Sequence, residues 1–456
     1  MLISSGSQHP PGILPELAGH VLVVGLGASG LSCLRLLRRL GVNVAATDTR
    51  DRPPALQQVK ASWPDLPLFL GGLWPQAFRN ADLLLLSPGV ALAEPEVAAA
   101  AARGVRVWGD IELFARLAQA PTVAITGTNG KSTVTALLGQ MAERAGRRVR
   151  VGGNLGTPAL ELLDPQAELY VLELSSFQLE TTWSLYARAA AVLNISADHL
   201  DRYPSSQAYA AAKARIFQGA GTQVLNLDDP AVLAMALPGR PQIGFTLGKP
   251  GRDQLGRLRL AGKRWLAHGA RPLLAVTELG ISGAHNEANV LAALALSLAL
   301  GLPLAPCLQA AREFSGLPHR SQLVRERRGV RFVNDSKGTN VGATVAAVAG
   351  LEGKLVLIAG GLGKGQDFAP LREALRGRTR AVLVIGKDGP AIARVLASEH
   401  PVHAARDLGE AVTLAAELAR PGDTVLLSPA CASMDMFRDY AERGEAFAAA
   451  VAGLPA

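Results

Sequence analysis

Residues 124–133 read AITGTNGKST, and this stretch decides the fold of the central part of the chain. An apolar, strand-like run, PTVAI, leads into a glycine-rich turn that carries Lys131, Ser132 and Thr133, and a helix-length segment follows. At such a junction the backbone N–H groups and the helix dipole face an anion, and a lysine can neutralise that anion. The stretch therefore predicts a nucleotide phosphate loop in a parallel α/β domain.

The match to the general phosphate-loop pattern fails at one position, because Ile125 stands where that pattern has a glycine. A chance Gly-Lys-Ser sequence at the start of a helix is the alternative interpretation. The strand before the turn and the helix after it favour phosphate binding.

The same alternation of short apolar strands and helix-length segments continues outward from this loop in both directions. It predicts βαβ crossovers and parallel sheets, and therefore an α/β fold. We expect three domains: a Rossmann-like domain over residues 1–109, a central phosphate-loop domain over 110–316 and a second Rossmann-like domain over 317–456. Residues 245–280 show the least regular pattern. In such sheets ligands bind beyond the carboxyl ends of the strands.

The charge balance favours anionic ligands without requiring nucleic acid. The 456 residues include 46 Lys and Arg against 38 Asp and Glu, a net charge of +8 that nucleotides are sufficient to explain. The densest basic stretch, HRSQLVRERRGVR at residues 319–331, has no interleaved aromatic residues. A solvated strand edge is therefore favoured there over a nucleic-acid interface.

The cysteine pattern and the apolar runs indicate a cytoplasmic protein without a membrane span. The three cysteines lie far apart, at Cys33, Cys307 and Cys431. No CxxC pair occurs, so a disulfide framework and a zinc site are both disfavoured. The N-terminal residues 1–20 lack the basic and apolar regions of a secretory signal. The longest apolar run starts at Val290, is interrupted by glycine and proline, and predicts a buried helix.

A second glycine-rich turn, GLGASG at residues 25–30, also follows a strand, and Asp48 ends the next strand. This arrangement suits a dinucleotide, with the acid on a ribose, as in an NAD-dependent oxidoreductase. The alternative is that the glycines only allow close packing of the helix on the sheet. A phosphate loop in the next domain favours two separate nucleotides, a nucleotide-linked substrate and ATP.

Two strand-end segments of the central domain carry candidate metal ligands. LELSSFQLE places Glu173 at the end of one strand, and ISADHLDRYP places Asp198, His199 and Asp201 at the end of another. Mg²⁺ beside ATP needs few protein ligands, because phosphates and water supply the others. A histidine among acids can equally be a structural hydrogen-bond partner. Lys213 lies in a helical stretch, where a lysine ordinarily faces solvent.

The third domain contributes polar strand-end loops of the same kind. FVNDSKGTN at residues 332–340 and LLSPACASMD at 426–435 each supply hydroxyl and charged side chains after an apolar run. Each is unremarkable as a helix N-cap. Polar loops at strand ends in all three domains are nevertheless what a cleft between domains requires.

Taken together and in order, GTNGKST, LELSSFQLE, DHLDRYP, AAKARIF, LPHR, NDSKGTN and LLSPACASMD closely resemble the Mur ligases of peptidoglycan synthesis. The resemblance covers nearly the whole chain, and SSFQLE resembles the branch that adds D-glutamate. It implies ATP-driven amide formation between UDP-N-acetylmuramoyl-L-alanine and D-glutamate through an acyl phosphate. It further implies ATP and Mg²⁺ as cofactors and a monomer.

The resemblance also assigns roles to residues of this sequence. It implies catalytic roles for Lys131, His199 and Lys213, with Lys213 carried as a carbamate. Mg²⁺ ligands would be Ser132, Glu173, His199 and Lys213. ATP would be bound by Gly127, Thr128, Asn129, Gly130, Lys131, Ser132, Thr133, Asn289, Arg320, Asp335 and Lys337. The UDP-linked substrate would be bound by Ala28, Ser29, Asp48, Thr49, Arg50, Ser87, Gly89 and Asn154. D-Glutamate would be bound by Thr339, Lys364, Ser433 and Tyr440, where Tyr440 replaces a common phenylalanine.

Three alternatives stay open at this point. Another amino-acid ligase of the superfamily, such as a folylpolyglutamate synthase, would not need the GLGASG domain. A nucleotide-gated switch protein would not need the acid, histidine and lysine of the central domain. An NAD dehydrogenase would have no use for the phosphate loop.

Overall fold

The computed structural model describes residues 14–199, 201–351 and 353–455. Residues 1–13, most of the segment interpreted above as lacking a secretory signal, lie outside the described chain, as does Leu200 of the DHLDRYP motif. Three β-sheets of five, nine and six strands divide the described residues. Their strands occupy residues 21–109, 122–275 and 322–427, and the predicted domain limits fall between these ranges.

The first sheet is wholly parallel and has a switch point at its centre. Its elements are β1 (Val21–Val24), α1 (Ala28–Arg39), β2 (Val44–Asp48), α2 (Leu56–Ser62), β3 (Leu68–Leu70), α3 (Pro75–Arg79), β4 (Leu83–Leu86), α4 (Pro95–Ala102), β5 (Arg106–Gly109) and α5 (Asp110–Leu117). The strand order is β3-β2-β1-β4-β5. The order changes direction between β1 and β4, which leaves a crevice at the carboxyl ends of these strands.

The second sheet carries the phosphate loop on a strand in its interior. Its elements are β6 (Thr122–Thr126), α6 (Lys131–Arg144), β7 (Val149–Gly153), β8 (Leu169–Glu173), α7 (Ser176–Glu180), β9 (Ala189–Val192), α8 (Ser206–Ala214), β10 (Thr222–Asn226), α9 (Pro230–Leu233), β11 (Gln242–Phe245), β12 (Leu255–Leu260), β13 (Lys263–His268), β14 (Arg271–Ala275), α10 (Ala284–Ala299) and α11 (Leu304–Glu313). The order is β14-β13-β12-β11-β10-β9-β6-β8-β7. Parallel neighbours β8 and β9 flank β6, so their carboxyl ends adjoin the loop.

The third sheet is parallel except at one edge. Its elements are β15 (Gln322–Arg327), β16 (Val330–Asn334), α12 (Val341–Gly350), β17 (Leu355–Gly360), α13 (Ala369–Leu375), β18 (Thr379–Ile385), α14 (Gly389–Leu396), β19 (Val402–Ala404), α15 (Leu408–Leu418), β20 (Thr424–Leu427) and α16 (Tyr440–Ala452). The order is β15-β16-β20-β17-β18-β19. Short 3-10 helices elsewhere in the chain occupy Pro15–Leu17, Ala159–Leu162, Arg215–Phe217 and Val276–Glu278.

The cores follow from strands that are buried on both faces. Strands β1, β4, β6 and β20 have no exposed residue, as expected for parallel sheets covered by helices on both sides. The apolar run that starts at Val290 is the buried part of α10, which shares a core with α6. The predicted buried helix is therefore confirmed. No helix among the described residues is long and apolar enough to cross a membrane.

Two antiparallel additions lie beside the parallel strands. The irregular region contains β12, β13 and β14, which pair antiparallel and extend the second sheet. The basic stretch forms the edge strand β15, paired antiparallel with β16, as the solvated-edge interpretation predicts. The three-part α/β class is confirmed, with these hairpins attached to parallel sheets.

Candidate active site

The phosphate loop joins β6 to α6 through backbone conformations that only glycine adopts easily. Gly130 has φ +83°, and a Cβ added there would lie 2.3 Å from Asn289 Oδ1. Asn194 holds the turn, since its Oδ1 accepts from Asn129 N at 2.8 Å and its Nδ2 donates to Asn129 O at 3.0 Å. The loop is therefore fixed by its neighbours, with the start of α6 directed at any anion placed there.

Two lysine ammonium groups meet at one carbonyl oxygen of this loop. Lys131 Nζ donates to Gly127 O at 3.0 Å and to Thr128 O at 2.8 Å. Lys213 Nζ donates to the same Gly127 O at 2.9 Å and lies 3.3 Å from Thr126 Oγ1. Lys213 is 1% exposed, so the solvent-facing position expected from its local sequence is wrong. Helix α8 packs its last turn beneath the loop, and sequence periodicity did not reveal this.

The pKa values of both lysines are lowered. Burial is the main cause for Lys213, whose pKa falls well below its ordinary value, and the neighbouring charge of Lys131 lowers it further. Burial also lowers the pKa of Lys131, while the carboxylate of Glu173 opposes that shift. Lys213 is thus held closer to the neutral amine than an ordinary lysine.

Glu173 ends β8 beside the loop and keeps one oxygen unused. Asn154 Nδ2 donates to its Oε1 at 2.7 Å, whereas its buried Oε2 has no hydrogen-bond partner among the described residues. Burial raises the pKa of Glu173, but the positive charge of Lys131 and the adjacent donors outweigh this and hold the pKa below its usual value. An ionised, buried oxygen without a donor fits a hard cation.

His199 lies on the loop after β9 in a left-handed conformation, with φ +55°. Its ring packs edge-on against Phe177 at a centroid distance of 4.8 Å, and its Nε2 is 3.9 Å from Asp198 Oδ2. Burial lowers the pKa of His199, and Asp198 opposes this shift. No group of three or more His, Cys, Asp or Glu side chains in the described ranges is arranged to hold a metal ion.

Tyr209 is a residue of this centre that our sequence interpretation missed. The Lys213 ammonium lies 4.7 Å above its ring, and its hydroxyl donates to Thr128 Oγ1 at 3.3 Å. Burial raises the pKa of the Tyr209 hydroxyl, so the phenol stays neutral and donates. The signal was present, because Tyr209 precedes Lys213 by one helical turn on α8.

A cavity of about 750 Å³ lies beside the loop, between the second and third sheets. Arg320 reaches across this boundary, and its Nη2 donates to Ser132 Oγ at 2.6 Å. The residues on either side of Arg320, His319 and Ser321, both have positive φ. Asn289, Asp335 and Lys337 also line the cavity, so predicted ATP residues of two sheets share one space.

Asp335 and Lys337 follow β16, where Asp335 is buried and Lys337 is half-buried. Ser428 Oγ donates to Asp335 Oδ2 at 2.7 Å, and burial raises the pKa of Asp335 to about 6. Burial, aided by the charge of Arg320, lowers the pKa of Lys337 to about 7. The Lys337 ammonium lies 3.6 Å above the ring of Tyr440. The ring face of Tyr440 thus contacts a predicted ATP residue.

The residues predicted to bind D-glutamate follow neighbouring strands of the third sheet. Thr339, Lys364 and Ser433 lie after β16, β17 and β20, and Tyr440 begins α16. An isolated bridge between Leu362 and Ala432 joins two of these loops. The charge of Lys364 contributes to lowering the pKa of His199. Lys364 therefore lies on the side of the third sheet that faces His199.

Most residues predicted to bind the UDP-linked substrate gather at the switch point of the first sheet. Asp48 accepts from Leu26 N at 2.7 Å and pairs with Arg50 at 2.7 Å, which ties β2 to the glycine-rich turn. Ser87 Oγ donates to Gly25 O at 2.8 Å. Ala28, Ser29, Thr49 and Gly89 lie on the same turn, strand ends and helix start. Asn154 is separate from this group and contacts Glu173 instead.

Family models match the three parts of the chain. The Mur ligase MurD-like N-terminal domain matches residues 19–109, the Mur ligase middle domain matches 125–297, and the Mur ligase glutamate ligase domain matches 319–431. The matched ranges correspond to the first, second and third sheets in turn.

Similar proteins extend over nearly the full length. UDP-N-acetylmuramoylalanine–D-glutamate ligase from Nitrosococcus oceani is 54% identical over 96% of this chain and 97% of its own. The enzyme of the same name from Marinobacter nauticus is 52% identical over 95% and 98%. Among solved structures, UDP-N-acetylmuramate-alanine ligase from Thermotoga maritima matches with a TM-score of 0.62 and 20% identity, over 95% of this chain and 99% of that one. The last similarity concerns the fold alone.

Proposed function

This chain belongs to the Mur ligase family, and on that premise we propose that it joins D-glutamate to UDP-N-acetylmuramoyl-L-alanine at the expense of ATP. The observation that carries this function is the convergence of Lys131, Lys213 and Glu173 on a phosphate loop that Arg320 of the third sheet also contacts. The near full-length similarity to D-glutamate ligases supports D-glutamate and UDP-N-acetylmuramoyl-L-alanine as the substrates. ADP and phosphate are the other products.

The three sheets take three roles in this proposal. The crevice between β1 and β4 binds the UDP part of the substrate, the cavity beside the phosphate loop binds ATP, and the strand-end loops of the third sheet bind D-glutamate. Ligands of parallel sheets bind beyond the carboxyl ends of the strands, and the predicted residues of each sheet follow those ends, which supports this division. All the residues named belong to one chain, so a monomer is sufficient for the reaction. A reaction that consumes ATP and a UDP-sugar supports a cytoplasmic location in this proposal.

A carboxylate is a poor electrophile, so the alanyl carboxylate must first be activated. It attacks the γ-phosphate of ATP to give an acyl phosphate, the amine of D-glutamate attacks the carbonyl carbon, and phosphate leaves. Lys131 and the loop amides hold the β- and γ-phosphates, where positive charge stabilises the charge that develops during transfer. Arg320 adds a second cation at the same place from the opposite side of the cavity.

The donor set fits Mg²⁺ beside the phosphates. Glu173 supplies the buried oxygen that lacks a hydrogen-bond donor among the described residues, Ser132 lies in the first turn of α6, and His199 lies on the loop after β9. A bound Mg²⁺ would neutralise phosphate charge and orient the transferred group. Lys213, with its lowered pKa, can react as a neutral amine with CO₂ to form a carbamate, which would turn a cation into an oxygen ligand.

Phosphate release tests this function directly. The purified chain receives ATP, Mg²⁺ and UDP-N-acetylmuramoyl-L-alanine with a panel of D- and L-amino acids, and Lys131→Ala serves as the inactive control. We expect release with D-glutamate and little with L-glutamate, glycine or L-lysine. Release with a folate substrate and L-glutamate instead would favour the folylpolyglutamate synthase alternative. Absence of release with every amino acid would contradict the ligase assignment.

A further inference from the structure

The N-terminus of α12, in the third sheet's layer, contacts loops of the second sheet through one side chain. Asn340 Nδ2 donates to Asp198 Oδ2 at 3.0 Å, across 142 positions of sequence. Asn340 and Asn129 of the phosphate loop also exchange two longer amide hydrogen bonds, at 3.3 and 3.4 Å. Asn340 Oδ1 accepts from Ala343 N at 2.8 Å and so caps α12. We call the contact of Asn340 with Asp198 and Asn129 the seam contact.

The seam contact joins α12 to two loops that carry proposed reaction residues, so a displacement of α12 would move its residues relative to those loops. Asp198 precedes His199, and its Oδ1 accepts from His199 N at 2.9 Å. Asn129 is itself held by Asn194 through two hydrogen bonds. A donor on a carboxylate contributes more than a neutral pair, and Asn340 is only 3% exposed. The phosphate loop, the His199 loop and α12 are therefore coupled through one amide.

The start of α12 lies close to side chains of the second sheet's loops at Gly342. A Cβ added at Gly342 would lie 2.9 Å from Ser196 Oγ, so an alanine there would force the Ser196 side chain to move. The other polar crossing described above runs from Arg320 to Ser132, at the start of α6. The two crossings together fix the distance between the loops of the two sheets.

We propose that Asn340 is a positioning residue for ligation: the seam contact holds the third sheet's loops over the phosphate loop, so that Arg320, Lys337 and Lys364 face the reacting groups. The expected effect of the seam contact on turnover rests on the proposed function. Its expected effect on nucleotide binding rests only on the cavity that both sheets line. Catalytic groups lose rate steeply when misplaced by about 1 Å, which makes a single well-placed contact important.

The test uses Asn340→Asp, which keeps an acceptor for Ala343 N and therefore keeps the helix cap. The new carboxylate cannot donate to Asp198 and repels it. The double variant Asn340→Asp with Asp198→Asn restores the pair with donor and acceptor exchanged, while the new amide oxygen still accepts from His199 N. Asp407→Ser, which alters the exposed cap of α15 away from the seam, is the matched control.

Binding of a non-hydrolysable ATP analogue is measured by calorimetry on the full chain, together with kcat and KM for ATP in ligation. For Asn340→Asp we expect the analogue's affinity to fall roughly tenfold, because the fraction of molecules whose two sets of loops are held together for binding falls by that factor. We expect kcat/KM for ATP to fall in parallel, and affinity for UDP, bound at the first sheet, to stay unchanged. The double variant should recover most of the lost analogue affinity, and Gly342→Ala, which crowds the Ser196 side chain, should lower that affinity as well.

Unchanged analogue affinity and kcat in Asn340→Asp would overturn this role. A double variant no better than the single variant, or an equal loss in Asp407→Ser, would also overturn it, since the effect would then come from helix capping or folding. Circular dichroism and thermal unfolding of each variant separate misfolding from loss of the contact. Because analogue binding does not depend on which amino acid is joined, failure of the ligase assignment would be seen separately.

Discussion

Lys131 and Lys213 direct their ammonium groups at the carbonyl oxygen of Gly127, and this shared acceptor shapes the chemistry of both. Two ammonium groups so close repel each other when both are charged, and burial adds to the cost of charge. The pKa of Lys213, lowered by burial and then by Lys131, is the one that moves furthest towards neutrality. A neutral amine is the form that adds CO₂ to give a carbamate.

The carbamate predicts the behaviour of Lys213→Ala. Removal of the side chain should abolish most ligation, and formate or acetate should restore part of it, because their oxygens can occupy the space that the carbamate leaves. Initial rates of phosphate release across a concentration series of acids, and of small amines, measure this. Lys60→Ala, at an exposed lysine of α2, is the control and should lose nothing.

The two rescue series distinguish the remaining interpretations of Lys213. Rescue by amines but not by acids would identify a phosphate-binding cation in place of the carbamate. Full activity of Lys213→Ala without any additive would mean that the buried lysine serves packing only.

The lowered pKa of Lys337 leads us to expect that nucleotide binding is coupled to the uptake of protons. Its pKa of about 7 leaves the side chain largely neutral at pH 8, and bound phosphates should raise that pKa again. Binding of an ATP analogue should therefore take up protons most strongly between about pH 7 and pH 9, and progressively fewer as the pH falls below about 7 and Lys337 becomes charged in the free protein. Calorimetry at pH 8 in buffers of different ionisation enthalpy measures the uptake.

Lys337→Arg provides the decisive comparison, since arginine stays charged at every pH in this range. The uptake should fall clearly but not vanish, because Lys131 also has a lowered pKa. Lys354→Arg, at an exposed position, should leave the uptake as in the unaltered chain. Equal uptake in Lys337→Arg and the unaltered chain would contradict the linkage.

At the scale of elements, the turn between β1 and α1 depends on close packing at one glycine. A Cβ added at Gly30 would lie 1.8 Å from Gly25 O, whereas one added at Gly27 meets nothing within 4 Å. The packing interpretation of GLGASG therefore holds at Gly30, beside the proposed binding of UDP. The motif serves both purposes because α1 must approach β1 for its N-terminus to reach the crevice.

The two glycines form a matched pair for mutation. Gly30→Ala should destabilise the first domain by about 1–3 kcal/mol, because α1 must shift to relieve the overlap. Gly27→Ala should unfold at nearly the original temperature. Calorimetric scans of both variants test this, with circular dichroism to follow refolding. Equal melting temperatures would show that the backbone absorbs the added methyl group.

The antiparallel strands β12 to β14 show an element that our sequence interpretation missed. LGRLRL alternates apolar and charged residues, and Ala261 and Gly262 after it both have positive φ, which suits a tight hairpin turn. The local sequence therefore contained a signal for a β-hairpin. The regular βαβ alternation on either side made the region seem merely irregular by contrast.

At the scale of the whole molecule, the two proposed nucleotide sites lie on different sheets and should respond separately to mutation. The double variant Asp48→Ala with Arg50→Ala removes the pair at the end of β2. We expect it to weaken binding of the UDP-sugar roughly tenfold or more, through lost charge-assisted hydrogen bonds, and to leave the ATP analogue's affinity unchanged. Asp51→Ala with Arg52→Ala removes the same charges from exposed neighbours and is the control.

Titration calorimetry with each ligand in turn gives the result. Equal losses for the UDP-sugar and the ATP analogue would mean that the roles of the two sheets are misassigned. A loss of fold, seen by circular dichroism, would instead point to the hydrogen bond that Asp48 accepts from Leu26 N.

The sequence by itself determined the α/β class, the phosphate loop and the family, because these depend on short-range patterns: apolar runs, turn glycines and fixed spacing along one strand and helix. Only the tertiary structure decided that Lys213 is buried, that Tyr209 joins it, and that Asn340 reaches Asp198. Burial and contact depend on which distant segments pack together, and the residues adjacent in sequence carry no direct record of that. The 188 positions between Arg320 and Ser132 are bridged only once the sheets have assembled.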